Sequence, residues 1–183
     1  MKKIFVILLL SLFSLPLLTA QESLFNVGDK VVNLGIGFGS TLYVGSFYSS
    51  TVPPVSISFE KGFKDGILEK GTIGIGGYLG YSSYKWESFG WGWKYTNIIL
   101  GARGNFHYPL VDKLDTYAGL LLGYRISTSK EFGTTAGIEP SSGGGVVFNP
   151  YIGGRYYFTD KFAGMAELGY GISYLNIGIA LKF

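Results

Sequence analysis

Leu175-Asn176-Ile177-Gly178-Ile179-Ala180-Leu181-Lys182-Phe183 is the stretch on which the fold of this chain turns. Successive side chains of a strand point to opposite faces, so Leu175, Ile177, Ile179, Leu181 and Phe183 share one side. Asn176, Gly178, Ala180 and Lys182 share the other. One face is uniformly apolar and the other small or polar, which is the period of a strand and not of a helix.

The alternation recurs upstream. Val32, Leu34, Ile36 and Phe38 oppose Asn33, Gly35, Gly37 and Gly39, and Val55, Ile57 and Phe59 oppose Ser56, Ser58 and Glu60. A third strand sets Ile73, Ile75, Leu79 and Tyr81 against Gly74, Gly76, Tyr78 and Gly80. In a fourth, Ile98, Leu100, Ala102, Phe106 and Tyr108 face away from Asn97, Gly101, Arg103, Asn105 and His107, with Ile99 breaking the rule. The fifth opposes Ala118, Leu120, Leu122, Tyr124 and Ile126 to Tyr117, Gly119, Gly123 and Arg125. The sixth opposes Phe148, Ile152, Tyr156 and Phe158 to Asn149, Tyr151, Gly153, Arg155 and Tyr157, with a bulge expected at Pro150. Phe162, Ala166, Leu168 and Tyr170 against Glu167 and Gly169 make a seventh, so the chain predicts an all-β, eight-stranded antiparallel up-and-down barrel.

Residues 1–20 have the organisation of a signal peptide: Lys2 and Lys3, an apolar run over 4–18, and Leu18-Thr19-Ala20 as a small-residue cleavage site. The barrel domain is then 21–183. The chain has 15 Lys and Arg residues, of which Lys2 and Lys3 leave with the leader, so the mature part is nearly neutral against its 12 acidic residues. No basic cluster remains for nucleic acid. The 183 residues include no cysteine, which excludes disulfides, thiolate metal sites and a cysteine nucleophile. With 29 glycines, 17% aromatic and only 15% charged residues, the composition is also far from that of a soluble globular domain.

Eight amphipathic strands can close with the apolar face inward, as in soluble ligand-binding barrels, or outward, in a membrane. Glu60, Arg103, Arg125, Arg155, Glu167 and Lys182 all lie on the glycine-rich face. The outward arrangement accounts for glycines in a narrow lumen, for aromatics at the strand ends and for the export signal. It makes those six residues an ionic network within the lumen. Phe63, Phe106, Tyr108, Phe158, Phe162 and Phe183 then mark one rim, and Tyr81, Tyr84, Trp86, Trp91, Trp93 and Tyr95 approach the other. Turns at 64–70, 109–114 and 159–161 are expected to be short, and loops at 41–54, 82–94 and 128–145 long.

The leader, the eight alternating strands and the terminal Leu175, Ile177, Ile179, Leu181 and Phe183 resemble the outer-membrane β-barrel family of OmpX and the OmpA barrel domain. That resemblance implies a multi-pass barrel in the bacterial outer membrane with both termini periplasmic and outer-membrane lipid as its surroundings. It also implies that Ile177, Ile179, Leu181 and Phe183 form the signal read by the barrel-assembly machinery.

His107 is the only histidine; no serine lies near it on the same inner face, and the chain carries no clustered metal ligands. No catalytic residue, metal or cofactor is therefore expected. The functional readings are a non-enzymatic envelope scaffold presenting its outer loops for surface interaction, a small pore or gated channel through the charged lumen, and, third, a lipid-modifying barrel enzyme. Trp86, Trp91 and Trp93 form an outer aromatic surface suited either to the lipid headgroup level or to an extracellular partner.

Overall fold

The computed structural model describes residues 23–39, 48–88, 90–133 and 143–183, and its eight strands follow one another around a closed ring. They are β1 Lys30–Phe38, β2 Tyr48–Ile67, β3 Gly71–Ser88, β4 Trp91–Val111, β5 Leu114–Phe132, β6 Gly143–Tyr157, β7 Phe162–Gly169 and β8 Leu175–Lys182. Each pairs antiparallel with the next, and β8 returns to β1 from Val31↔Lys182 to Phe38↔Leu175. Closure pairs the strands on both sides through the body of the barrel, while toward the far side β2 before Val55 is in register only with β3, and β6 before Tyr151 only with β5. The two ends of the barrel chain meet at one rim, where the Lys30 amide donates to the Phe183 carbonyl (3.3 Å) and the Phe183 amide to the Lys30 carbonyl (3.0 Å). We call this the terminal rim and its opposite the far rim.

The faces are arranged apolar-out. Leu100, Leu122 and Ile152 are each about 60% exposed, whereas Arg103, Arg155, Glu60 and Glu167 are buried. Ile99 keeps the strand period and points inward, so its apparent break in the pattern is an apolar residue placed inside. The outward apolar belt covers residues 73–81 of β3, 98–106 of β4 and 118–126 of β5, nine residues in each case. At about 3.3 Å per residue and a tilt near 40°, that is about 23 Å of height, matching the ~25 Å apolar band of a transmembrane barrel.

The strands outrun the sequence expectation on the far side. Within the stretches 41–54, 82–94 and 128–145, expected as long loops, the described segments 48–54, 82–88, 91–94, 128–132 and 143–145 are strand, with β3 and β4 paired in unbroken register out to Ser88↔Trp91. Residues 41–47, 89 and 134–142 of those stretches, and the expected signal peptide at 1–20, lie outside the described residues. Pro150 makes no bulge, since β5 and β6 stay in register from Leu114↔Tyr156 to Ser127↔Gly143. The shifts fall instead in β2, on either side of Val52 and of Lys64, and in β4 after Pro109. The terminal-rim turns are tight, with Leu68, Glu69 and Lys113 at positive φ of 50°, 75° and 63°.

Candidate functional site: a sealed ionic lumen

Inward side chains of six strands meet in one hydrogen-bonded network. Its lower part is a ring of four residues. Arg155 of β6, fully buried, donates Nη2 to Glu60 Oε2 and Nη1 to Asp115 Oδ2 (3.1 Å). His107 of β4 closes the ring, with Nε2 2.6 Å from Glu60 Oε1 and Nδ1 2.7 Å from Asp115 Oδ1. Both ring nitrogens thus face carboxylate oxygens, an arrangement that the imidazolium, with two N–H donors, satisfies completely. Arg155 Nε donates to Asn33 Oδ1 (3.0 Å), whose amide donates to Ser58 Oγ (3.0 Å) and so leads to the upper part.

There Arg103 donates Nη2 to Glu167 Oε1 (2.5 Å), Nη1 to Ser58 Oγ (3.0 Å) and Nε to Tyr151 Oη (2.5 Å). Tyr151 Oη donates onward to Asn105 Oδ1 (2.5 Å), and Tyr117 Oη to Glu167 Oε1 (2.8 Å). The guanidiniums also lie over rings, Arg103 4.2 Å from the centroid of Tyr151 and Arg155 4.7 Å from that of Tyr117. Glycine makes room for these rings. A Cβ on Gly153 would stand 2.7 Å from Tyr117, so the absent side chain is the space the tyrosine fills.

Charge in this core balances, with Arg103, Arg155 and His107 against Glu60, Asp115 and Glu167. Buried ions require such pairing, because an unpaired one costs several kcal/mol. Apolar side chains close the network at both ends. Toward the far rim Tyr78, Ile99, Leu121 and Ile172 form a buried layer. Toward the terminal rim the segment before β1 folds back into the barrel mouth. Phe25, fully buried, stacks on His107 at 4.2 Å and packs with Val31, Tyr157, Ala163 and Ala180. That segment is tied by Gly28 N to Gly62 O (3.1 Å), Gly62 N to Asp29 O (2.9 Å) and Lys182 Nζ to Leu24 O (3.0 Å). Beside Arg103 and Glu167 lies a partly open pocket of about 40 Å³, lined also by Tyr170, Ser173 and Tyr174, with room for water and too small for a larger solute.

Of the six residues expected to share an ionic network, four do: Glu60, Arg103, Arg155 and Glu167. Lys182 stands apart at the terminal rim, 3.7 Å from Asp29 and holding the plug segment. Arg125 pairs in register with Ile99, inside the apolar layer rather than below it, and its Nε has no hydrogen-bond partner among the described residues. Asp115, His107, Tyr117 and Tyr151 were missing from the expected network. His107, read as an ordinary lumen or rim residue, is at the centre of the lower ring. Asp115 lies just past the turn expected at 109–114, and stepping back by two from inward Tyr117 reaches it. Nothing comparable in the sequence marks the Phe25 plug, since it belongs to no alternating run.

Trp86, Trp91 and Trp93 pack on one another with centroids 5.0–5.6 Å apart. Trp86↔Trp93 and Ser88↔Trp91 are register partners on the same face as inward Tyr84 and Asn97. The cluster therefore lies on the luminal side of the β3–β4 hairpin, not among lipid-facing residues, and buried Tyr84 likewise leaves the expected far-rim girdle. Ile177, Ile179, Leu181 and Phe183 all face outward. Among the described residues no group of acidic or histidine side chains is arranged to hold a metal ion.

A closed ring of eight strands, apolar outside and ion-paired inside, is a transmembrane β-barrel of the smallest size class. No family model and no curated protein matches the chain. Among solved structures it is similar to the attachment invasion locus protein Ail of Yersinia pestis, at 13% identity over 85% of this chain and 95% of that one, TM-score 0.49. The N-terminal β-barrel domain of Pseudomonas aeruginosa OprF is similar at 14% identity over 86% and 98%, TM-score 0.49. OprG of the same organism is similar at 10% identity over 88% and 99%, TM-score 0.49.

Proposed function

We propose that the chain is a non-conducting, non-enzymatic barrel of the bacterial outer membrane, an envelope scaffold that holds its far-rim strands and loops outward for surface interaction. The observation that carries this reading is the lumen. Every charged group of the central network is engaged by another, with an apolar layer above and the Phe25 plug below. A pore needs a continuous wet path, and a catalytic centre needs a reactive group open to substrate. Neither reading finds support in a core so paired and closed.

In this reading the terminal rim, with its tight turns, lies in the periplasm, and Ile177, Ile179, Leu181 and Phe183 serve as the recognition strand for the barrel-assembly machinery. Planar-bilayer recording of the purified, folded barrel tests the proposal. Silent membranes are expected with protein confirmed as inserted, and reproducible conductance steps of one size would replace it with the channel reading.

A further inference from the structure

Above the apolar belt the outward face of β3, β4 and β5 carries two polar rungs. Ser83, Thr96 and Thr128 are register partners across the three strands, and one rung higher Lys85, Lys94 and Lys130 are register partners in the same way. Three lysines directly side by side repel one another, and opposed like charges destabilise a sheet. Glu87 offsets part of that charge. Glu87 sits 2.6 Å from Lys85, whose ammonium also rests 4.3 Å over the Phe132 ring. Glu131, next to Lys130 in the chain, belongs to the opposite, inward parity. The β2 neighbour of Lys85 is neutral Ser49. Lys94 and Lys130 are exposed.

The height of the row identifies what can neutralise it. Lys85 follows Tyr81, the last outward residue of the belt on β3, by four residues, or about 13 Å along the strand and about 10 Å in height at barrel tilt. Lysine stems reach back toward the membrane surface, which places their ammonium groups in the headgroup zone above the hydrocarbon. We propose that Lys85, Lys94 and Lys130 form a binding row for phosphate-bearing lipid headgroups of the far leaflet, with the hydroxyls of Thr96 and Thr128 beneath them as further donors, while buried Ser83 keeps its hydroxyl on the Tyr95 carbonyl (3.1 Å). A lipid carrying two phosphates spans neighbouring lysines and replaces their mutual repulsion with attraction. This rests on the membrane reading given above.

The test titrates the folded full-length barrel in zwitterionic phosphocholine bicelles with doubly phosphorylated lipid A. Parallel arms use dephosphorylated lipid A and inorganic phosphate. The variants are Lys85→Gln/Lys94→Gln/Lys130→Gln and, as the opposite-rim comparison, the outward register pair Lys30→Gln/Lys61→Gln. A basic residue near an anionic surface contributes roughly fivefold in affinity, so the triple variant should bind phosphorylated lipid A at least about tenfold more weakly. The terminal-rim variant should stay within about twofold. Equal binding of the dephosphorylated lipid, displacement by millimolar inorganic phosphate, or equal losses in the two variants would each overturn the proposal. Heat-modifiable migration of every variant reports folding separately, and failure of the unsubstituted chain to enter bicelles would count against the membrane reading instead.

Discussion

Arg155 and His107 occupy neighbouring sides of the same ring yet should not be equally expensive to lose. Arg155 bridges both carboxylates with separate nitrogens and is fully buried. Arg155→Leu leaves Glu60 and Asp115 with only the imidazolium between them, an excess buried charge that should lower folding stability by about 3–5 kcal/mol. His107→Gln keeps a donor for one carboxylate and should cost about 1–3 kcal/mol. Denaturant midpoints in the same lipid vesicles would measure both, and an equal loss would show that the ring does not act as drawn. Which side chains point inward was legible here from period two alone, including Glu60, Arg103, Arg155 and Glu167. Their heights were not. Parity says nothing of the rung, so Arg125 was grouped with residues from which Ile99 and its apolar neighbours separate it.

At the scale of elements, the plug segment before β1 behaves differently from the strands it closes. It is held by a few hydrogen bonds and one large apolar side chain, so it can detach without opening the barrel ladder. Phe25→Ala should therefore cost less than the ~3–5 kcal/mol typical of a buried phenylalanine, because local release replaces a fixed cavity. Its signature should be faster hydrogen exchange at the amides of Gly28 and Gly62, which bond across the plug, with strand amides of β4 and β5 unchanged. Conductance should stay absent, since the layer of Tyr78, Ile99, Leu121 and Ile172 still closes the lumen. Slow exchange at both glycines in the variant would mean that Phe25 does not hold the segment. The upper reaches of β2 to β5 were misjudged from sequence for a related reason. Backbone pairing needs no apolar side chain, so the ladder continues through Ser83, Thr96 and Thr128 after hydrophobicity has ended. Loss of hydropathy marks the edge of the apolar belt, not the end of the strand.

For the molecule as a whole, strand length and belt height are separate quantities, and only the second should govern insertion. β4 has 21 residues and β8 has 8, yet the outward apolar run on β3, β4 and β5 is nine residues, about 23 Å high. A bilayer whose hydrocarbon is near 30 Å must thin to meet that belt, at a fraction of a kcal/mol for each ångström of mismatch. Folding from denaturant into vesicles of saturated phosphocholines should accordingly be most complete with chains of about twelve carbons and fall as the bilayer thickens. Moving the belt edge tests the cause: Thr96→Leu/Thr128→Leu adds one apolar rung, or about 5 Å of height, on two adjacent strands. That variant should shift its optimum toward thicker bilayers while the unsubstituted protein keeps its own. An optimum that ignores the added rung would mean that height is set by the aromatic rim at Phe63, Phe158 and Phe183 rather than by the belt.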